Sequence, residues 1–142
     1  MTRIEFFFNV EDKLRKISEL CESAVRKNRR LMVYSPDADD TVRLEDYLWS
    51  NPAIGFLPHC RPQHRLADVT PIILDHEGER LVHDDVLINM RDRYPPFFSR
   101  FRRLIEIVGL DEVDRSAARE RYRFYRDRGY EIKLLDETGA AI

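Results

Sequence analysis

Glycine is scarce in this chain and never clustered. The five glycines among 142 residues, Gly55, Gly78, Gly109, Gly129 and Gly139, stand too far apart to form G-x-G-x-x-G or G-x-x-x-x-G-K-S/T. Both phosphate-cradling loops are therefore excluded, and with them a cofactor held in that way. Cysteine is nearly absent. Cys21 and Cys60 cannot build a disulfide framework and belong to no CxxC pair, which points to a reducing, cytoplasmic setting. Long hydrophobic runs are missing too: Phe6-Phe7-Phe8, flanked by Glu5, Asn9 and Glu11, suits a buried strand and is far too short for a signal peptide or a membrane span. Nor is there a surplus of positive charge. With 24 basic and 26 acidic side chains the net charge is −2, which excludes a histone-like electrostatic DNA binder and leaves direct DNA binding weak or absent.

What is present is a foldable chain of one-domain size. Hydrophobic residues make up 43% and charged residues 35%, and the apolar positions are periodic, so the chain is not a disordered tail. The near-neutral total hides an asymmetry: residues 1–90 carry 12 basic and 16 acidic side chains, residues 91–133 carry 12 and 8. The periodicity predicts a strand over 4–9 and a helix, capped by Asn9 or Asp12, running to about Lys27 with Leu14, Ile17, Cys21, Ala24 and Val25 inward. A strand over 31–34 and a helix over 39–49 follow, then a short strand over 56–58 and an irregular, loop-like stretch over 59–68. Strands are predicted over 71–74 and 86–89, separated by a charged segment that could be a long hairpin or an exposed loop. A turn or short helix over 94–98, a strand over 104–108, a helix over 111–128 stopped by Gly129, and a strand over 130–135 complete the order. The reading is one domain over 1–135, an open α/β sheet with helices after most strands, and a tail over 136–142.

Three groups of residues could carry chemistry. His59, Cys60 and His64 could in principle ligate zinc, but Pro58 and Pro62 constrain them and no fourth ligand has suitable spacing, so a proline-shaped loop is the better reading. Asp37, Asp39 and Asp40 could hold a divalent cation, although acids at a helix start also complement its dipole and free N–H groups. No G-x-S-x-G occurs. The third group is the most informative: at about 100° per residue, Arg115, Arg119, Tyr122, Arg123 and Arg126 share one arc of about 100° on the helix over 111–128. Like charges four residues apart repel by a few tenths of a kcal/mol. Such a face is either solvated, with Glu112 and Asp127 neutralising it, or it binds an anionic partner with Tyr122 as an apolar platform. Arg121 and Arg128 fall elsewhere on the wheel and are expected to make internal or unrelated contacts. Separately, Trp49, Pro52 and Phe56 stand in a proline-framed aromatic block between the core residues Leu48 and Leu57, and such blocks serve either as core or as docking anchors.

Three blocks carry a resemblance. Leu48-Trp49 with Pro52, Phe56, Pro58 and His59, then Asp85–Asn89, then Ala118–Arg126, occur in the order found in the chi subunit of bacterial DNA polymerase III, and the match spans essentially the whole chain. The chain therefore resembles that family. The resemblance implies a Rossmann-like, mainly parallel sheet without a nucleotide-binding loop, and a non-catalytic accessory subunit needing no cofactor or metal. It further implies binding of the acidic C-terminal tail of single-stranded-DNA-binding protein through Arg119, Tyr122, Arg123 and Arg126, with Arg115 and Val108 alongside. Arg115 and Arg123 stand where the family also uses lysine. The block of Trp49, Pro52 and Phe56 matches the surface for the psi subunit or its equivalent in the clamp loader, and for a repair helicase. Two other classes stay open on the residues alone: a direct single-stranded nucleic-acid binder using the same arginines, and a metal-dependent enzyme using the aspartate or histidine groups.

Overall fold

Strand β1 (Arg3–Phe7) lies inside the sheet rather than at its edge, and that placement organises everything else. Residues 1–50 and 57–142 are described by the computed structural model. After β1 come α1 (Lys13–Arg26), β2 (Leu31–Tyr34), α2 (Ala38–Ser50), β3 (His59–Cys60), β4 (Ile72–Asp75), β5 (Val86–Asn89), β6 (Arg103–Ile107), α3 (Glu112–Asp127) and β7 (Ile132–Leu135). The seven strands form one sheet in the order β3-β4-β2-β5-β6-β1-β7, and every strand pair is parallel. The register sets Ile4 beside both Leu104 and Ile132, and Val33 beside both Leu74 and Ile88.

Parallel strands need long crossovers, and right-handed crossovers in opposite directions put their helices on opposite faces. From β1 the chain moves through α1 to β2, toward one edge. From β6 it moves through α3 to β7, toward the other. Ile17 and Cys21 of α1 and Leu44 and Leu48 of α2 accordingly pack on one face with Leu31, Val33, Ile72 and Ile105. Ala118 and Tyr125 of α3 pack on the other with Ile4, Phe6, Leu87 and Leu104. This two-sided burial explains why β2, β4 and β5 each begin with three consecutive apolar residues.

The helix ends obey local rules. Asp12 caps α1 by accepting from the Arg15 N–H at 3.1 Å, and Asp111 caps α3 by accepting from the Asp114 N–H at 2.8 Å. At the other end of α3 the Tyr130 and Gly129 N–H groups return to the carbonyls of Tyr125 and Arg126, with Gly129 at φ +82°. Asn28, at φ +58°, fills the same role after α1.

The structure settles the open pairing of two strands and relocates one short strand. The segments around β4 and β5 form no hairpin; both strands flank β2, because an all-buried strand of four residues needs a partner on each side. In the segment predicted as a strand over 56–58, residues 57 and 58 are irregular and Phe56 lies outside the described residues. The strand instead falls at β3, inside the stretch read as a loop, where His59 and Cys60 pair with Ile72 and Ile73. The last residues turn back, with Ile142 N–H donating to the Leu134 carbonyl at 3.1 Å.

Candidate functional site

Helix α3 has two chemically different sides. Ala118, Arg121 and Tyr125, at spacings of three and four, face the sheet and are buried. Arg119, Arg123 and Arg126 project into solvent, with Arg115 and Tyr122 partly covered. The helix wheel separates Arg121 from the others, and the structure gives the reason.

Arg121 reaches a carboxylate that no solvent touches. Glu106, on β6, is fully buried, and its Oε1 accepts from Arg121 Nε at 3.0 Å while its Oε2 accepts from the Tyr125 hydroxyl at 2.5 Å. Asn89, its register partner on β5, donates Nδ2 to both oxygens at 3.0 and 3.2 Å. Arg121 also donates to the Asp92 carbonyl at 2.8 Å. Burial pushes the Glu106 carboxyl up to about 7 against the opposing pull of Arg121, Tyr125 and Asn89. Burial and the neighbouring carboxylate push the Tyr125 hydroxyl up as well. This network fixes the rotation of α3 about its axis, and so fixes which arginines face outward. A single Glu within an apolar strand carries no sequence signal for it.

The outward arginines are only loosely matched. Arg119 pairs with Glu112, and Arg126 with Asp127 at 3.1 Å, but all four side chains are more than half exposed. Exposed pairs of this kind contribute about 0–1 kcal/mol and give way readily to a better partner. Arg115 donates to Asn9 Oδ1 at 2.8 Å, which leaves its charge uncompensated. Arg123 has no acidic partner among the described residues. The neutralised face, one of the two alternatives, is thus only half realised. Tyr122 meets Phe6 edge-on at 6.2 Å and has the Arg126 guanidinium 6.0 Å from its ring centre, so it is anchored on one side and available on the other.

Val108 does not belong to that surface. It is 0% exposed, its N–H donates to the Phe7 carbonyl at 2.9 Å, and its side chain belongs to the core beneath α3, so it cannot line a surface pocket. The position follows directly after β6 in a sheet covered on both faces, where an apolar residue turns inward.

Where α1 and α3 leave adjacent strands in opposite directions, the fold opens the crevice that α/β proteins commonly use for ligands. Here the chain's own side chains span it. Lys13 Nζ and Asp114 Oδ2 are 2.8 Å apart, and the Gly109 N–H donates to the same oxygen at 2.6 Å. A methyl group on Gly109 would come within 3.1 Å of Asp114 Oδ2 and 3.3 Å of Lys13 Cε. Partial burial raises the Asp114 carboxyl, but Lys13 and the Gly109 N–H outweigh it and the net shift is downward.

The second expected surface is only partly visible. Trp49, on the last turn of α2, is 72% exposed, whereas Leu48 and Leu57 are core. Pro52 and Phe56 lie outside the described residues. The candidate metal groups are engaged locally: His59 Nδ1 and His64 Nδ1 lie 2.7 and 3.0 Å from backbone partners, and Asp37 accepts from the Asp40 N–H at 2.8 Å as a helix cap. Among the described residues, no three His, Cys, Asp or Glu side chains converge as a metal site would require.

Comparison with known proteins decides the family. The family model for the DNA polymerase III chi subunit, HolC, matches residues 1–133. The chain belongs to the DNA polymerase III chi subunit family. It is 29% identical to the DNA polymerase III subunit chi of Pseudomonas aeruginosa, over 94% of this chain and 95% of that protein. It is 28% identical to the Escherichia coli chi subunit, over 85% and 86%, and 27% identical to that of Haemophilus influenzae, over 80% and 79%. The chi family membership makes the arginine face and the Trp49 region surfaces of a replication subunit. No helix among the described residues is long and apolar enough to cross a membrane.

Proposed function

We propose that this chi-family chain is a non-catalytic, cytoplasmic adaptor that binds the acidic C-terminal tail of single-stranded-DNA-binding protein through the outer face of α3. The observation that carries this reading is the incomplete compensation of that face: Arg123 lacks an acidic partner among the described residues, and the acids meeting Arg119 and Arg126 are exposed and displaceable. Arg119, Arg123 and Arg126 engage carboxylates of the tail, Arg115 extends the positive field, and Tyr122 receives an apolar side chain near the tail's end. The Trp49 region, with Pro52 and Phe56 next in the chain, joins the psi subunit or its equivalent in the clamp loader, or a repair helicase in its place. Tethering of this kind needs no cofactor or metal.

Isothermal titration with a tail peptide tests the reading. Arg119→Ala weakens binding by about 1–3 kcal/mol, the value of one charge-assisted hydrogen bond, without altering the circular dichroism spectrum. The charge contribution declines as salt shortens the Debye length from about 10 toward 3 Å, while the Tyr122 contact persists. Unchanged affinity in both Arg119→Ala and Arg123→Ala would leave α3 with only a solvated face.

A further inference from the structure

At the end of the sheet where the strands begin, basic residues gather from separate parts of the chain. Arg3 opens β1, Lys27, Arg29 and Arg30 follow α1, and Arg100, Arg102 and Arg103 lead into β6. Five of them, Arg3, Lys27, Arg29, Arg102 and Arg103, line a cavity of about 500 Å³ between the C-terminal end of α1 and the starts of β1, β5 and β6, with Leu20, Ala24, Ile88 and Ile105 among its apolar walls. That volume falls within the range of small-molecule sites.

The charges in this cavity do not balance. Its lining includes Arg3, Lys27, Arg29, Arg102 and Arg103 against two acids, Glu5 and Asp85. Glu5 is taken by Arg103, at 2.5 Å, and Asp85 by Arg29, at 3.7 Å. Arg30 donates to the Asp68 carbonyl at 3.0 Å. The exposed side chains of Arg3, Lys27, Arg100 and Arg102 have no acidic or hydrogen-bonded partner among the described residues. Arg3 and Arg102 both line the cavity, and their main chains are tied together: the Arg3 N–H donates to the Arg102 carbonyl at 2.9 Å while the Arg102 N–H is fixed on the carbonyls of Asp84 and Asp85. The fold thus gathers like charges around one cavity, an arrangement that an anion relieves.

We propose that this edge binds the phosphate backbone of a nucleic-acid strand. One small anion can meet one or two of the four free cations; a chain of repeated charges meets all of them, with one nucleotide unit entering the cavity. Among the described residues the cavity lining contains no aromatic ring, so recognition rests on charge and is independent of sequence. A peptide tail with an aromatic end finds its apolar platform beside Tyr122 instead. The net charge of −2 does not prevent this, because the field that matters acts within about a Debye length, ~10 Å at 0.1 M salt. It does confine binding to low ionic strength. The site is separate from the α3 face and does not depend on the function proposed for it.

The test is fluorescence anisotropy of a labelled oligothymidylate with the full chain, in about 20 mM salt, where screening is weak. Binding is expected, with a log–log salt slope of about −3, since each phosphate contact on a single strand releases about 0.7 counterion. Arg3→Glu combined with Arg102→Glu reduces affinity about tenfold or more and leaves titration with the acidic tail peptide unchanged. Lys27→Glu with Arg100→Glu, both on exposed side chains, gives the same loss should the first pair disturb folding. Absence of binding, equal affinity in both edge variants, loss only in Arg119→Ala with Arg123→Ala, or displacement by polyglutamate as effective as by unlabelled oligonucleotide would each overturn the proposal.

Discussion

Glu106 spends its native life with no contact to water, and its protonation couples directly to stability. Its folded value, about 7, lies above the ordinary carboxylate value of 4.5, so the native state holds the proton more tightly than the unfolded chain. The stability this supplies is fully present below about pH 4.5 and is lost as pH rises through about 7. Urea midpoints measured across that window should fall more steeply in the parent chain than in Glu106→Gln, which cannot ionise. Arg121→Met removes the buried counter-charge, so Glu106 is held still more firmly in its protonated form; the variant should lose stability, and lose more of it as pH rises above neutral, read from the same urea curves. The helical wheel reveals that Arg121 differs from its neighbours, because a helix angle depends only on position. It cannot reveal Glu106, whose partners come from two separate stretches of chain, β5 and α3, or the burial of Val108, which depends on the sheet being covered on both faces.

Helix α3 is legible in the sequence almost to the residue, from a capping aspartate to a stopping glycine, because both signals are local. A methyl group placed on Gly129 would meet no atom within 4 Å, so space does not oppose a side chain there; its φ of +82° does. Gly129→Ala should therefore cost about 1–2 kcal/mol in thermal or urea denaturation without lowering peptide affinity beyond the loss of folded protein. The link between α1 and α3 is of another kind. Asp114 is held below the usual carboxylate range, so its contribution is present above the unfolded pKa and disappears as pH falls through the folded one. Asp114→Asn should blunt the acid limb of the stability profile and leave the neutral region of that profile comparatively flat. No local signal marks this tie, or the two-residue β3: the first joins residues 101 positions apart in sequence, and the second is too short for periodicity to register.

At the scale of the molecule, an open α/β sheet is foreseeable as a class from the alternation of elements. The strand order is not, since hydrophobic pattern reports burial and not neighbours. That order makes the halves interdependent. A chain truncated after residue 100 retains β1 to β5 but loses both strands that flank β1, so it should fail to give a cooperative unfolding transition or dispersed amide resonances. The same topology has a consequence during synthesis. β1 is among the first segments to leave the ribosome, yet its hydrogen-bonding partners are made last: Thr2 bonds to Phe101, 99 positions later, and Phe6 and Phe7 wait for β6 and β7. At about 5–20 residues per second that interval lasts roughly 5–20 s, during which an aromatic strand has neither edge occupied. Nascent chains stalled before β6 should therefore be captured by chaperones that bind exposed apolar segments, and chains stalled after β7 has emerged should be released.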